Sequence, residues 1–227
     1  MCAVIGTIVQ NPSVNQLEMI KRVILESKIR GMHATGISYV KNNTIVTQRL
    51  PVSADKFPFD FKSYLNEDGN LYMIAHCRYS TSDLEYNQPL FHDTKSIVHN
   101  GVITQELPEN WKELYGYDCI TKNDSELVLH SEDPLQEFPN MSMGVCELRV
   151  DKTLRSYRNG KRPLYLTTFN NGCIITSTKD IPYRAGVDGF TTEFLMNTYV
   201  TFDEYLAMSV ERKPITNAVD YQHYELC

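Results

Sequence analysis

Three turn-forming dipeptides, Asn42-Asn43, Asp151-Lys152 and Asn171-Gly172, each separate two short runs rich in apolar and β-branched residues. Asn, Asp and Gly tolerate the positive φ that a tight connection requires, so each pair marks a hairpin. The predicted hairpins join residues 36–40 to 44–48, 143–150 to 153–158, and 164–168 to 173–177. Residues 2–9, 71–77, 95–99 and 198–202 read as further strands, the one at 95–99 stopping at Asn100-Gly101. The one long helical pattern follows Pro12. Ser13 and Gln16 fit a capping box, and Val14, Leu17, Ile20 and Ile24 recur at helical spacing. That helix is predicted over 13–29, with Gly31 in the usual C-terminal position. Asp124-Ser125-Glu126 opens a shorter one, and the polar stretch 78–90 is a loop. Neighbouring strands pair locally and βαβ alternation is missing. The fold class is therefore α+β, antiparallel sheets with helices packed outside. Without repeats, low-complexity tracts or linker-like runs, residues 1–227 are expected to form one domain.

Composition removes several function classes. With 22 basic and 28 acidic residues the net charge is −6, and no basic cluster offers a nucleic-acid footprint. No apolar run approaches the roughly 18 residues of a membrane span, and no signal-peptide pattern opens the chain, so a cytoplasmic location is expected. The six cysteines are scattered and form no C-x-x-C pair. Neither a disulfide framework nor a metal site is expected, and no cofactor is implied.

Cys2 follows Met1 directly. Removal of Met1 would place a free α-amine, titrating at about 7.7–8.0, on the same residue as a thiol titrating near about 8.5. Such an amine can act as base for its own thiol. Arg78, at a strand end, suits a carboxylate held by two parallel hydrogen bonds, although a surface ion pair would use the same residue. Asn100 and Gly101 offer a side-chain amide and an unobstructed backbone N–H for an oxyanion, although Asn-Gly is also an ordinary turn. Asp124 suits an ammonium group, or a plain helix cap. Together these groups fit a free amino acid with a side-chain amide. Glutamine is the obvious candidate, and the residues alone leave asparagine open.

These segments resemble the class II, N-terminal-nucleophile glutamine amidotransferases. Met1-Cys2-Ala3-Val4-Ile5-Gly6 resembles the family's opening. Arg30-Gly31-Met32-His33-Ala34-Thr35-Gly36 and His76-Cys77-Arg78-Tyr79-Ser80-Thr81 resemble two of its inner segments. Asn87-Gln88-Pro89-Leu90, His99-Asn100-Gly101 and Asn123-Asp124-Ser125-Glu126 follow in order. The resemblance implies a four-layer αββα sandwich, Cys2 as nucleophile, and Asn100 with Gly101 as oxyanion hole. It assigns glutamine binding to Arg78, Tyr79, Thr81 and Asp124, with Arg30 supporting the surroundings of Cys2. His33 stands where the family has aspartate, and residues 82–87 are altered and short. An acceptor domain does not fit in the chain's length, so a separate ammonia-accepting synthase is the expected partner. Two other functions use the same residues: hydrolysis of another γ-glutamyl amide, and binding of glutamine without catalysis.

Overall fold

The computed structural model describes residues 1–80 and 84–214. β1 (Ala3–Val9) leads into α1 (Val14–Ser27), whose Ser13 cap and Gln16 side chain bond reciprocally to each other's backbone. β2 (Ala34–Lys41) and β3 (Thr44–Leu50) turn at Asn42 and Asn43, at φ 49° and 52°. β4 (Leu71–Arg78), β5 (Leu90–His92) and β6 (Lys95–Val102) follow. Three short helices come next: α2 (Trp111–Tyr115), α3 (Ser125–His130) and α4 (Pro134–Glu137). β7 (Ser142–Arg149) and β8 (Leu154–Arg158) form one hairpin, β9 (Tyr165–Phe169) and β10 (Gly172–Thr176) another. α5 (Asp180–Arg184), β11 (Phe190–Glu193), β12 (Thr198–Phe202) and β13 (Met208–Arg212) complete the described chain.

The strands make two antiparallel sheets, ordered β11-β9-β10-β1-β4-β2-β3 and β13-β12-β8-β7-β6-β5. Alternation along the strands sorts side chains into three apolar layers. Ala3, Ile5 and Val9 of β1, with Leu71, Met73 and Ala75 of β4, face α1 and α5, meeting Leu17, Ile20, Ile24 and Ile181. Val4 and Ile8, with Tyr72 and Ile74, face the second sheet, where Val98, Cys146, Leu148 and Leu154 meet them. The far side of that sheet packs Ile97, Met143, Val145 and Tyr157 against Trp111, Leu127, Val128 and Leu135. The order is helix, sheet, sheet, helix, as the resemblance implies. β1 is buried on both faces, which is why it reads as a continuous apolar run. In the third layer Glu147, fully buried, bridges Arg149 at 2.6 Å and Arg155 at 2.7 Å, and Arg155 lies over the Tyr199 ring.

Some boundaries differ from the sequence expectations. α1 ends at Ser27, and a 3-10 turn, Lys28–Arg30, carries the chain on. Gly31 is extended, at φ −168°, rather than left-handed. A Cβ on it would lie 2.3 Å from the carbonyl carbon of Arg78 and 2.5 Å from the Tyr79 nitrogen, so it is a glycine to let that backbone pass. β6 does not stop at Asn100-Gly101: both residues pair with β7, at Gly144 and Met143. No helix among the described residues is long and apolar enough to cross a membrane.

Candidate active site

Antiparallel pairing of β1 with β4 sets Ala3 opposite Cys77, so Cys2 comes out beside the end of β4 where Arg78 stands. The second sheet brings Asn100 to the same end. The Cys2 backbone N–H donates to Asn100 Oδ1 at 3.2 Å, a link between the two sheets. Asn100 Nδ2 is buried and has no hydrogen-bond partner among the described residues. An unpaired buried amide donor costs about 1–3 kcal/mol, so it calls for an explanation. Here one end of the amide holds the residue bearing the thiol, and the other is a donor without an acceptor. Gly101 follows at φ 156°. A Cβ there would fall 1.8 Å from the Ser142 carbonyl oxygen and 2.6 Å from His99 Nε2, so this position admits no side chain.

Arg30 reaches Cys2 from the turn after α1, its Nε donating to the Cys2 carbonyl at 3.0 Å and its Nη2 lying 3.7 Å from Met1 Sδ. Burial lowers the Arg30 pKa from its ordinary value, and the neighbouring Cys2 works against that fall. Arg78 Nη1 donates to the Tyr86 carbonyl at 3.0 Å and to Asn87 Oδ1 at 2.8 Å, which fixes the guanidinium against the loop beyond β4. Asp124 occupies the cap position of α3 but makes no cap bond. Its Oδ2 instead accepts the Ile103 N–H at 2.6 Å and the Thr104 N–H at 3.3 Å, beyond the end of β6. Tyr79 is half exposed and its carbonyl faces Cys2 Sγ at 3.9 Å. Thr81 lies outside the described residues.

A cavity of about 420 Å³ opens between these groups, with Cys2, Arg78, Tyr79, Gly101 and Asp124 in its walls. Its size and mix of polar groups suit a small polar ligand. Asn100 stands behind the wall, reached through Cys2. The departure at His33 lies against the wall residue Tyr79 rather than in the wall itself. His33 Nδ1 accepts the Ser80 N–H at 2.9 Å, and its ring packs on Tyr79 with centroids 4.9 Å apart.

Groups with no signal of their own in the sequence brace this cavity. Gln88 Oε1 accepts the His99 N–H at 2.6 Å, and Gln88 Nε2 donates to Ser125 Oγ at 3.0 Å. Ser125 Oγ meets His99 Nδ1 at 2.8 Å, and His99 Nε2 meets the Ser142 carbonyl at 3.1 Å. This network ties the loop before β5, the N-terminus of α3 and the strand carrying Asn100 into one body. The only sequence signal for it is the position of Gln88, His99 and Ser125 inside the motifs, since nothing in their spacing announces contact. For His76, also in the wall, neither ring nitrogen meets a partner in full hydrogen-bond geometry among the described residues. Burial, then the nearby Arg78, pushes its pKa down to about 3, so it is neutral. Burial lowers His99 too, against the pull of Asp124. One cluster of metal-ligand types, Cys119, Glu126 and His130, contributes nothing to the cavity wall.

No protein-family model matches the sequence, and no curated protein matches it. Solved structures do. The glutamine phosphoribosylpyrophosphate amidotransferase from B. subtilis, complexed with ADP and GMP, aligns with a TM-score of 0.71 at 17% identity. The alignment covers 93% of this chain and 49% of that one. A structure described as the allosteric regulatory enzyme of purine biosynthesis gives a TM-score of 0.72 at 16% identity, with the same coverage. The chain shares the fold of these two structures and spans about half their length.

Proposed function

We propose that this chain hydrolyses glutamine to glutamate and ammonia through a thioester on Cys2. The observation that carries this reading is the Asn100 amide, bonded through Oδ1 to the nitrogen of the residue bearing the thiol and left with a buried, unpartnered Nδ2. A module that only binds glutamine has no use for such a donor beside a thiol. The fold shared with a glutamine-dependent amidotransferase points the same way.

The cycle begins once Met1 has been removed. The nitrogen that now meets Asn100 Oδ1 becomes an α-amine, which takes the proton of the Cys2 thiol. The thiolate attacks the side-chain carbonyl carbon of glutamine, and the oxygen gains negative charge. Asn100 Nδ2 and the Gly101 N–H donate to that oxygen. The α-ammonium returns its proton to the leaving nitrogen, ammonia departs, and water hydrolyses the thioester. Arg78 takes the substrate carboxylate. The Oδ1 of Asp124, free of hydrogen bonds among the described residues, takes the ammonium. Tyr79 and Thr81 are assigned to substrate binding, and Arg30 holds the Cys2 carbonyl. We assign the ammonia to a separate acceptor enzyme, which should co-purify in a pull-down from the native host.

Glutamate release from free glutamine, asparagine and γ-glutamyl conjugates tests the substrate. Glutamine is expected to turn over fastest. Turnover of conjugates alone would make the chain a γ-glutamyl amidohydrolase, and turnover of none would contradict an enzymatic role.

A further inference from the structure

The missing C-x-x-C pair does not bear on Glu126 and His130, which stand four residues apart on one face of α3. Cys119 approaches them from the loop before the helix, and one ligand atom from each of the three lies within 4.8 Å of the other two. His130 Nε2 and Glu126 Oε1 are 3.5 Å apart. In a tetrahedral zinc site with bonds of about 2.0–2.3 Å, ligand atoms lie about 3.5 Å from one another. The Glu126–His130 pair is already at that spacing, and Cys119 needs to close by roughly 1 Å.

Two independent observations point to a ligand. First, His130 Nε2 is buried and without a hydrogen-bond partner among the described residues although it faces a carboxylate. Second, the carboxylate is braced as metal-ligating carboxylates are. Glu126 Oε1 accepts the Ile120 N–H at 2.8 Å, and Oε2 accepts the N–H and hydroxyl of Thr121, both at 2.6 Å. Glu126 itself is buried. The His130 ring is held in place, stacked on Tyr117 and edge-on to His92, with centroids 5.8 and 4.7 Å away.

We propose that Cys119, Glu126 and His130 bind one zinc-like divalent cation, with water in the fourth position. Thiolate, carboxylate and imidazole together select zinc over calcium or magnesium, which take oxygen alone. On binding, the Cys119 thiol gives its proton to solvent and the sulfur bonds the metal. The ion pins the loop carrying Cys119 to α3, whose N-terminal end carries Asp124 and Ser125. The site does not depend on the glutaminase reading.

Cobalt(II) is the probe, in the full chain carrying Cys2→Ala and Cys227→Ser. Among the described residues these changes leave Cys119 as the one thiol that is not buried. One equivalent of cobalt should produce a thiolate-to-metal charge-transfer band in the near ultraviolet, and one equivalent of zinc should abolish it. Cys119→Ser should remove the band. His130→Ala should weaken zinc binding at least roughly tenfold. No stoichiometric band in the folded parent protein, or an undiminished band in Cys119→Ser, would overturn the site.

Discussion

Asn100 joins two roles in one amide, holding the Cys2 nitrogen with its oxygen and keeping its nitrogen unpaired. Asn100→Ala is therefore expected to lower kcat by about 100- to 1,000-fold with little change in KM, because the donor acts mainly on charge that develops during reaction. Steady-state glutamate release checks this, and near-normal turnover would remove Asn100 from the oxyanion hole. His76 makes a separate prediction. It is neutral in the folded chain, with a pKa of about 3, whereas an unfolded histidine titrates near about 6.5. Below pH 6.5 the unfolded state binds the extra proton, so folding stability is lost as pH falls toward 3. The slope is about 1.4 kcal/mol per pH unit for one group, and His99, lowered for the same reason, adds to it. Urea unfolding between pH 5 and 6.5 should show that slope, reduced by one proton in His76→Asn. An unchanged slope would mean that His76 is charged in the folded state. The sequence makes the chemical types at Cys2, Arg78, Asn100 and Asp124 legible. It cannot show which atom of each is already engaged, because those bonds come from segments far apart in the chain.

At the scale of elements, the three hairpins are readable because their turn residues declare themselves locally, although the third turn lies at Asn170-Asn171, one residue before the expected Asn171-Gly172, and Gly172, already in β10, pairs with Phe169. β11 and β13 are not, being short edge strands with little burial and no alternation to find. β6 is misread at its end for the opposite reason. Asn100-Gly101 has the composition of a turn, but pairing with β7 keeps it extended and delivers the amide to Cys2. Gly31 likewise looks like a helix stop and is instead a crossing point under Arg78 and Tyr79. Gly31→Ala should force that backbone aside, costing roughly 1–3 kcal/mol in chemical denaturation. It should also raise the KM for glutamine, since Arg78 moves with it. A variant with wild-type stability and KM would show that the crossing tolerates a methyl group.

Across the whole molecule, two sheets packed face to face bring strand ends from distant parts of the sequence to one cavity, and the buried layers hold them in register. The third layer depends on a charge that hydrophobic patterning cannot anticipate. Glu147 is buried between two arginines on adjoining strands. Glu147→Gln removes the anion of Arg155 and leaves Arg149 only the more distant Glu132 at 3.7 Å, and a loss of about 3–5 kcal/mol in unfolding free energy is expected. The proposed chemistry requires that Cys2 become the first residue and the nucleophile. Intact mass of the purified chain, measured alongside glutamate release for wild type and Cys2→Ala, tests it most directly. Loss of the Met1 mass together with glutamate release that vanishes in Cys2→Ala is the expected result. Retained Met1 in material that hydrolyses glutamine, or undiminished release by Cys2→Ala, would contradict it.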